Sequence, residues 1–404
     1  MAASCQGGNS IAPKEQQTAK YVFYFIGDGM GLAQVALAEA YQAYEQTGAI
    51  GNIPLCFSKF PVLGLATTFS ASNIITCSSA AGTALSTGFK TNNNMLGIAP
   101  DSTTHLTSIS YKIKEAGYKV GITSTVTLDH ATPGAFYAHS TARSDYYGIA
   151  LELPQTGFDF FGGGGFLQPN GPKKDQESVF TSIDQAGYQV VYGPAAYQEA
   201  KSQQTLGDKV ILLQDKDRNY LRDLPYAIDR KEGDMTQAQV VATAIDFLEN
   251  EKGFFLMSEG GKIDWACHSN DAKTAWMEVI DFASAVEVAV AFAQRHPNET
   301  LIVVTADHET GGLALGHPSG YSMYFDKMAQ DTVSIDVLNA TKQKDYVTEV
   351  RQMMEDAHIG WTTSAHTGIM VPVYAMGAGS ELFNGRMDNT DIPKFICKVM
   401  GVAF

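Results

Sequence analysis

The sequence predicts a doubly wound α/β fold: a mainly parallel central sheet with helices on both faces and a small insertion near residues 312–345. Three observations lead there. Apolar runs of strand length alternate with longer amphipathic segments, which is the rhythm of βαβ units. The runs are rich in Val, Ile, Phe and Tyr, as strands covered on both faces are. No repeat, low-complexity stretch or Pro- or Ser-rich linker interrupts the pattern, so one domain is expected over 20–404.

The elements follow in chain order. YVFYFIG (21–27) reads as a strand and GLAQVALAEAYQAY (31–44) as the helix after it. YKVGITST (118–125) is a second strand, leading into a segment rich in Ala and His. FFLMSEG (254–260) precedes the helical DAKTAWMEVIDFASAVEVAVAFAQR (271–295), and LIVVTADHE (301–309) follows. VPVYAMGAG (371–379) comes before a last helix near DIPKFICKVM (391–400). Between Gly312 and Asp345 the alternation breaks into GHPSGYSMYF and a polar DTVSIDVLNATKQKD, the expected insertion.

Composition bounds the function. With 45% apolar residues among 404, the chain can bury a large core. No apolar run approaches the roughly 18 to 20 residues of a membrane span. A formal charge of −15 argues against nucleic-acid recognition or binding to an anionic membrane, which would repel the chain at long range. Carboxylates that hold divalent cations would make the local field less negative than the count. The five cysteines, Cys5, Cys56, Cys77, Cys267 and Cys397, form no CxxC pair and suggest neither a disulfide framework nor a thiolate zinc cluster. Ala3, Ser4 and Cys5 match the end of a bacterial lipoprotein signal and its lipidated cysteine; the alternative is an ordinary flexible terminus over 1–19.

Chemistry gathers at the strand ends, the ligand-binding edge of an open parallel sheet. Asp28 sits in IGDGMG directly after a strand, where an aspartate either caps the next helix or faces a ligand. Glu259, Asp264 and His268 fall in SEGGKIDWACHS, and the i, i+4 spacing of Asp264 and His268 puts both on one helix face, able to converge on a metal. Asp307 and His308 are adjacent in ADHETGG, and His366 lies in the loop SAHTG. His130 and Thr132 in DHATPGAF add a nitrogen and a hydroxyl donor after another strand. Arg143 offers a planar guanidinium for bidentate recognition of a tetrahedral oxyanion, or else a surface salt bridge. Carboxylates and imidazoles without thiolates suit zinc or magnesium. Finally TCSSAAGTALSTG (76–88), poor in side-chain bulk, is either close packing or a nucleophile at the first turn of a helix, where free N–H groups and the helix dipole favour an anion.

In the order and spacing of these motifs the sequence resembles the alkaline phosphatases from about residue 20 to about 400. The resemblance implies a phosphomonoester hydrolase that passes through a phosphoserine and releases inorganic phosphate. TCSSAAGTA aligns with the family's TDSAxxGTA, making Ser78 the nucleophile and placing Cys77 where the family has an aspartate. Asp264, His268 and His366 would hold one zinc, and Asp28, Asp307 and His308 a second. A third ion, usually magnesium, would take Asp28, Thr132 and Glu259; His130, where some members have aspartate, leaves its identity open between Mg²⁺ and Zn²⁺. Arg143 would grip the phosphoryl oxygens without the carboxylate that usually orients it. The Ala3-Ser4-Cys5 match would place the chain in the periplasm or at the cell surface with a lipid anchor at Cys5, and a homodimer is left open. The rival readings are a phosphodiesterase or sulfatase on the same two-metal core, and a non-catalytic metal or phosphate binder, which would not need Ser78.

Overall fold

The computed structural model describes residues 18–214, 222–317 and 321–404; Cys5 and most of the 1–19 segment lie outside them. β1 (Tyr21–Gly27) leads into α1 (Leu32–Thr47), and β2 (Val62–Thr67) is followed by α2 (Ser78–Thr87). α3 (Ile109–Glu115) precedes β3 (Lys119–Ser124), after which come the short α4 (Ala131–Gly134) and α5 (Tyr146–Glu152). Three short strands, β4 (Phe160–Gly163), β5 (Gln189–Tyr192) and β6 (Val210–Leu213), are joined through α6 (Val179–Gln185) and α7 (Gly193–Ser202). α8 (Gln237–Leu248) then gives β7 (Phe254–Gly260), α9 (Lys262–His268), α10 (Ala272–Arg295) and β8 (Thr300–Thr305).

Beyond β8 the chain leaves the sheet. This excursion holds β9 (Glu309–Thr310), β10 (Leu313–Leu315), α11 (Ile335–Ala340), α12 (Lys344–Asp356), β11 (Ile359–Trp361) and β12 (His366–Thr367). β13 (Val371–Gly377), β14 (Gly385–Asp388) and α13 (Asp391–Met400) complete the chain. The insertion expected near 312–345 is thus the middle of a longer excursion that continues through α12 and β11. Two antiparallel ladders fasten it, β10 with β11 and β9 with β12.

Ten strands make one sheet in the order β14-β2-β13-β8-β1-β7-β3-β4-β6-β5. β13 is antiparallel to both its neighbours, and every other pair is parallel. β1, β7 and β8 are buried along their whole length, as central strands covered on both faces must be. α1, α8 and α10 pack together as one flanking group, and α2, α3, α4 and α13 as another.

Aromatic packing fastens the sheet to α10. Phe254 meets Phe23 at a ring-centroid distance of 5.2 Å and Phe292 at 5.5 Å, both edge-on, the favoured arrangement of two quadrupoles. All three rings are buried, and losing one to alanine would cost about 3–5 kcal/mol through the cavity left behind. Asp271 caps α10, accepting from Thr274 N at 3.0 Å, and also accepts from Ile335 N at 2.8 Å, which ties the excursion to the sheet's own helix. Among the described residues no helix is long and apolar enough to cross a membrane.

Candidate metal centre and nucleophile

Strand register gathers the carboxylates. Ile26 of β1 lies beside Glu259 of β7 and Thr305 of β8, so Asp28, Glu259 and Asp307 emerge together at the carboxyl edge. The turn after β1 lies hard against α9: Gly29 has φ +72°, and a Cβ there would come within 2.9 Å of the Asp264 Cα. Glycine is required on both counts.

The first group is sealed from solvent. His308 Nε2 lies 3.1 Å from Asp307 Oδ2 and 3.5 Å from Asp28 Oδ1, and none of the three side chains is exposed. Asp307 Oδ1 accepts from the backbone N–H of His308 at 2.9 Å and of Gly29 at 3.2 Å. Burial, with the Asp264 charge second, pushes the Asp307 carboxyl up to about 8. Asp28 is likewise raised far above the carboxylate range, by burial and then by Asp307. Burial holds His308 well below its ordinary value, so its imidazole is neutral.

A second group is more open. His268 Nε2 lies 3.3 Å from Asp264 Oδ2 and 3.1 Å from His366 Nε2, and His366 Nε2 lies 3.7 Å from Asp264 Oδ1. His268 Nδ1 donates to the Ser364 carbonyl at 2.7 Å, and His366 Nδ1 to the Thr76 carbonyl at 2.9 Å. Since a carbonyl only accepts, both rings carry the proton on Nδ1 and turn Nε2 towards Asp264, the arrangement that backbone partners impose on metal-binding histidines. The hydrogen bond with Asp264 raises His268 to about 9. Burial would raise Asp264, but His268 and the other imidazoles overcome it and hold the carboxyl below its usual range.

Glu259 and Thr132 adjoin the sealed group. The Ser124 hydroxyl donates to Glu259 Oε2, while burial pushes Glu259 up to about 7. His130, at the start of α4, is neutral because burial and then the Arg143 charge lower it to about 3. Its ring meets Trp265 edge-on at 5.6 Å.

Ser78 is the first residue of α2 and is 2% exposed. Its Oγ lies 3.3 Å from His308 Nε2 and accepts from Arg143 Nη1 at 3.4 Å. The backbone N–H of Arg143 donates to the Asn94 carbonyl at 2.7 Å, but no carboxylate among the described residues pairs with its guanidinium. Cys77 Sγ sits 3.2 Å from Ser79 Oγ and accepts from Asn94 N at 3.1 Å. Burial raises the thiol, yet the bonds from Asn94, Ser79 and Ala80 together with Arg143 bring it below its ordinary value.

Sequence reading missed two residues that join these groups. The Thr310 hydroxyl donates to Asp264 Oδ1 at 2.5 Å, which leaves Oγ1 to accept from His308 Nδ1 at 3.2 Å. One buried hydroxyl thereby links the sealed group to the open one. Beside it Glu309 accepts from Gln34 Nε2 at 2.7 Å and from the Thr367 hydroxyl, tying β9 to β12 and so to His366. The signal was in ADHETGG, directly after the Asp-His pair.

Both oxygens of Asp28, Asp307 Oδ2, Glu259 Oε1, Thr132 Oγ1 and His130 Nδ1 are buried without a hydrogen-bond partner. So many orphaned acceptors at one point are costly unless a cation satisfies them. Asp28, Asp307 and His308 offer ligand atoms within 4.8 Å of one another, and so do Asp264, His308 and His366. His268 also points into the second set, 3.3 Å from Asp264. The donors are oxygen and imidazole nitrogen, and they fit divalent metals.

A doubly wound sheet with a serine at a helix N-terminus beside clustered Asp and His ligands defines a metal-dependent hydrolase of the α/β class. A model of the alkaline phosphatase family matches residues 19–159 and 160–402, and the chain belongs to that family. It is 32% identical to alkaline phosphatase 4 of Bacillus subtilis strain 168, over 98% of this chain and 93% of that one, and 31% identical to alkaline phosphatase 3 of the same organism, over 95% and 90%. The alkaline phosphatase of Shewanella sp. superposes with a TM-score of 0.79 at 32% identity, covering 94% of this chain and 99% of that one. That of the Antarctic bacterium TAB5 superposes at 0.77 and 29%, covering 96% and 100%. The chain is accordingly an alkaline phosphatase-type enzyme, a metal-dependent phosphomonoesterase.

Proposed function

We propose that the chain cleaves phosphomonoesters through a phosphoserine on Ser78, at a site of two zinc ions and a third divalent ion. The observation that carries this reading is the position of Ser78 Oγ, 3.3 Å from His308 Nε2 and 3.4 Å from Arg143 Nη1 at the N-terminus of α2. Asp264, His268 and His366 hold one zinc, and Asp28, Asp307 and His308 the other. Asp28, Thr132 and Glu259, with His130 nearby, hold the third ion. A variant of the TAB5 enzyme in which one histidine is replaced by glutamate carries magnesium in its M3 site, which supports a third site whose occupant depends on the donors supplied. Bound divalent ions supply Lewis acidity and lower the pKa of a coordinated hydroxyl.

Within that frame Ser78 Oγ gives up its proton and attacks phosphorus in line. The bond from phosphorus to the ester oxygen breaks with its electrons going to that oxygen, and the departing alkoxide takes up a proton by way of solvent to leave as the alcohol. Arg143 donates to the phosphoryl oxygens, and the free N–H groups of the first turn of α2 add positive potential. Water then opens the phosphoserine, returning the Ser78 hydroxyl and releasing inorganic phosphate. Stabilisation of spread negative charge rather than proton shuttling carries the catalysis. The Ala3-Ser4-Cys5 stretch supports a lipid anchor and hence a periplasmic or cell-surface location.

The test is acid quenching during turnover of an aryl phosphate, followed by mass spectrometry. A phosphate adduct on the peptide holding Ser78 is expected, with aryl phosphodiester and aryl sulfate turned over far more slowly. Ser78→Ala should lose the adduct and at least about 10³-fold in rate. An adduct elsewhere, or an active Ser78→Ala enzyme, would overturn the assignment.

A further inference from the structure

Trp265 stands one residue after Asp264 on α9 and is only half-buried. It is firmly held. His130 meets its ring edge-on at 5.6 Å, and the Lys262 ammonium lies 5.6 Å from the ring centroid. Lys262 is itself fixed, donating to Asp223 Oδ2 at 2.8 Å and the Leu224 carbonyl at 2.9 Å while lying 3.7 Å over Tyr226. The indole N–H, in contrast, donates to no group among the described residues.

The same indole lines a cavity of 440 Å³, together with Tyr226, Lys262, Asp223 and Arg222. That volume lies within the range of small-molecule sites, and a few polar groups on aromatic walls are their usual lining. Arg222 adds a guanidinium to the lining and pairs with no carboxylate among the described residues. A rigid aromatic surface, an indole N–H donor, a carboxylate acceptor and a guanidinium together match a planar heteroaromatic group with hydrogen-bonding edges.

We propose that this cavity seats the alcohol moiety of the substrate and selects a nucleoside, so that nucleoside monophosphates are preferred over small aliphatic phosphate esters. This rests on the phosphomonoesterase reading above. The phosphoryl group is recognised by Ser78 and Arg143, whereas the base stacks on Trp265 and meets Arg222 and Asp223 at its polar edge. Stacking on one indole is sequence-tolerant, so purine and pyrimidine nucleosides are both accommodated.

Two measurements on the metal-loaded enzyme decide it. First, kcat/KM is compared for adenosine 5′-monophosphate and glycerol 3-phosphate, whose scissile bonds both involve a primary alcohol. A preference of about tenfold or more for the nucleotide is expected, falling towards unity in Trp265→Ala and largely kept in Trp265→Phe, with the change in KM. Second, adenosine alone is titrated by calorimetry. It should bind the wild type and Trp265→Phe, and bind Trp265→Ala and Arg222→Ala more weakly, all with unchanged metal content. Equal kcat/KM for the two esters, or no adenosine binding, overturns the inference. If neither ester is hydrolysed, the phosphomonoesterase reading fails, and adenosine binding still decides the cavity.

Discussion

The two halves of the metal centre are built on opposite principles. Asp28, Asp307 and His308 have no exposure at all, and both oxygens of Asp28 and Oδ2 of Asp307 are left without a hydrogen-bond partner. Asp264, His268 and His366 form a pre-satisfied set in which one carboxylate faces two imidazoles, and the His268 side chain is 38% exposed. The sealed half needs a cation to be comfortable at neutral pH, whereas the open half can hold itself together with a proton. A centre of this kind should lose metal from the open half first and lose stability when the sealed half is emptied.

Metal removal sharpens that contrast most. Complete chelation should lower activity by roughly 10³-fold or more, since several kcal/mol of transition-state charge stabilisation disappears. Graded chelation should release the first equivalent with little change in melting temperature and the later ones with a clear fall. Metal content measured beside thermal melting checks it; a fall that accompanies the first equivalent would break the comparison.

Thr310 is the link between the halves. Thr310→Val would leave Asp264 Oδ1 and His308 Nδ1 without their partner, and losing such an outer-shell bond typically costs about 10- to 100-fold in metal affinity or activity. Thr310→Ser should keep most of both, because the hydroxyl is retained. Zinc affinity by chelator competition tests this apart from rate, and an unaffected Val variant would show that the halves are independent.

pH provides a third probe of the metal-free protein. Asp307 and Glu259 keep their protons up to about 8 and about 7, whereas the unfolded chain releases them near 4. From about pH 6.5 to 8 the folded state therefore binds more protons, and stability falls as pH rises, by about 2 kcal/mol for this pair. His268, raised to about 9, adds the same sign with solvent screening, while the lowered His130, His308 and His366 oppose it near pH 6.5, where unfolded imidazoles are still about half protonated, and drop out above about pH 7.5. Denaturant titration of apo protein across that window should show the slope and metal-loaded protein should not. A flat apo profile would mean that the sealed carboxylates are not strained.

The smallest effect concerns Cys77. Cys77→Ala should retain most activity, because the thiol only buttresses the turn through Asn94 and Ser79. Cys77→Asp should give Arg143 a carboxylate and tighten inhibition by inorganic phosphate several-fold. Unchanged phosphate inhibition would show that Arg143 is already held in place.

Much of this arrangement is legible in the sequence, and the limit is physical. Asp28, Glu259, Asp307 and His308 can be found because each ends or follows an apolar run whose strand character is local, and Asp264 and His268 because helical spacing is local too. β4, β5 and β6 are too short to show a period. The reversed direction of β13 is decided by where the excursion returns, which no local pattern encodes. Thr310 looks like a loop threonine until β9 pairs with β12, a two-residue ladder invisible in one dimension. Trp265 reads as one more helix residue until His130 is placed beside it.

The strand order also constrains how the chain is made. β1 is the first strand among the described residues, yet its two neighbours are β7 and β8, which begin at Phe254 and Thr300. At about 5–20 residues per second, both edges of this fully apolar strand wait roughly 10 to 50 s on the ribosome before the first neighbour exists. During that interval YVFYFIG is an open template for wrong pairing. His366 emerges later still, so no partly made chain can bring all the candidate ligands together.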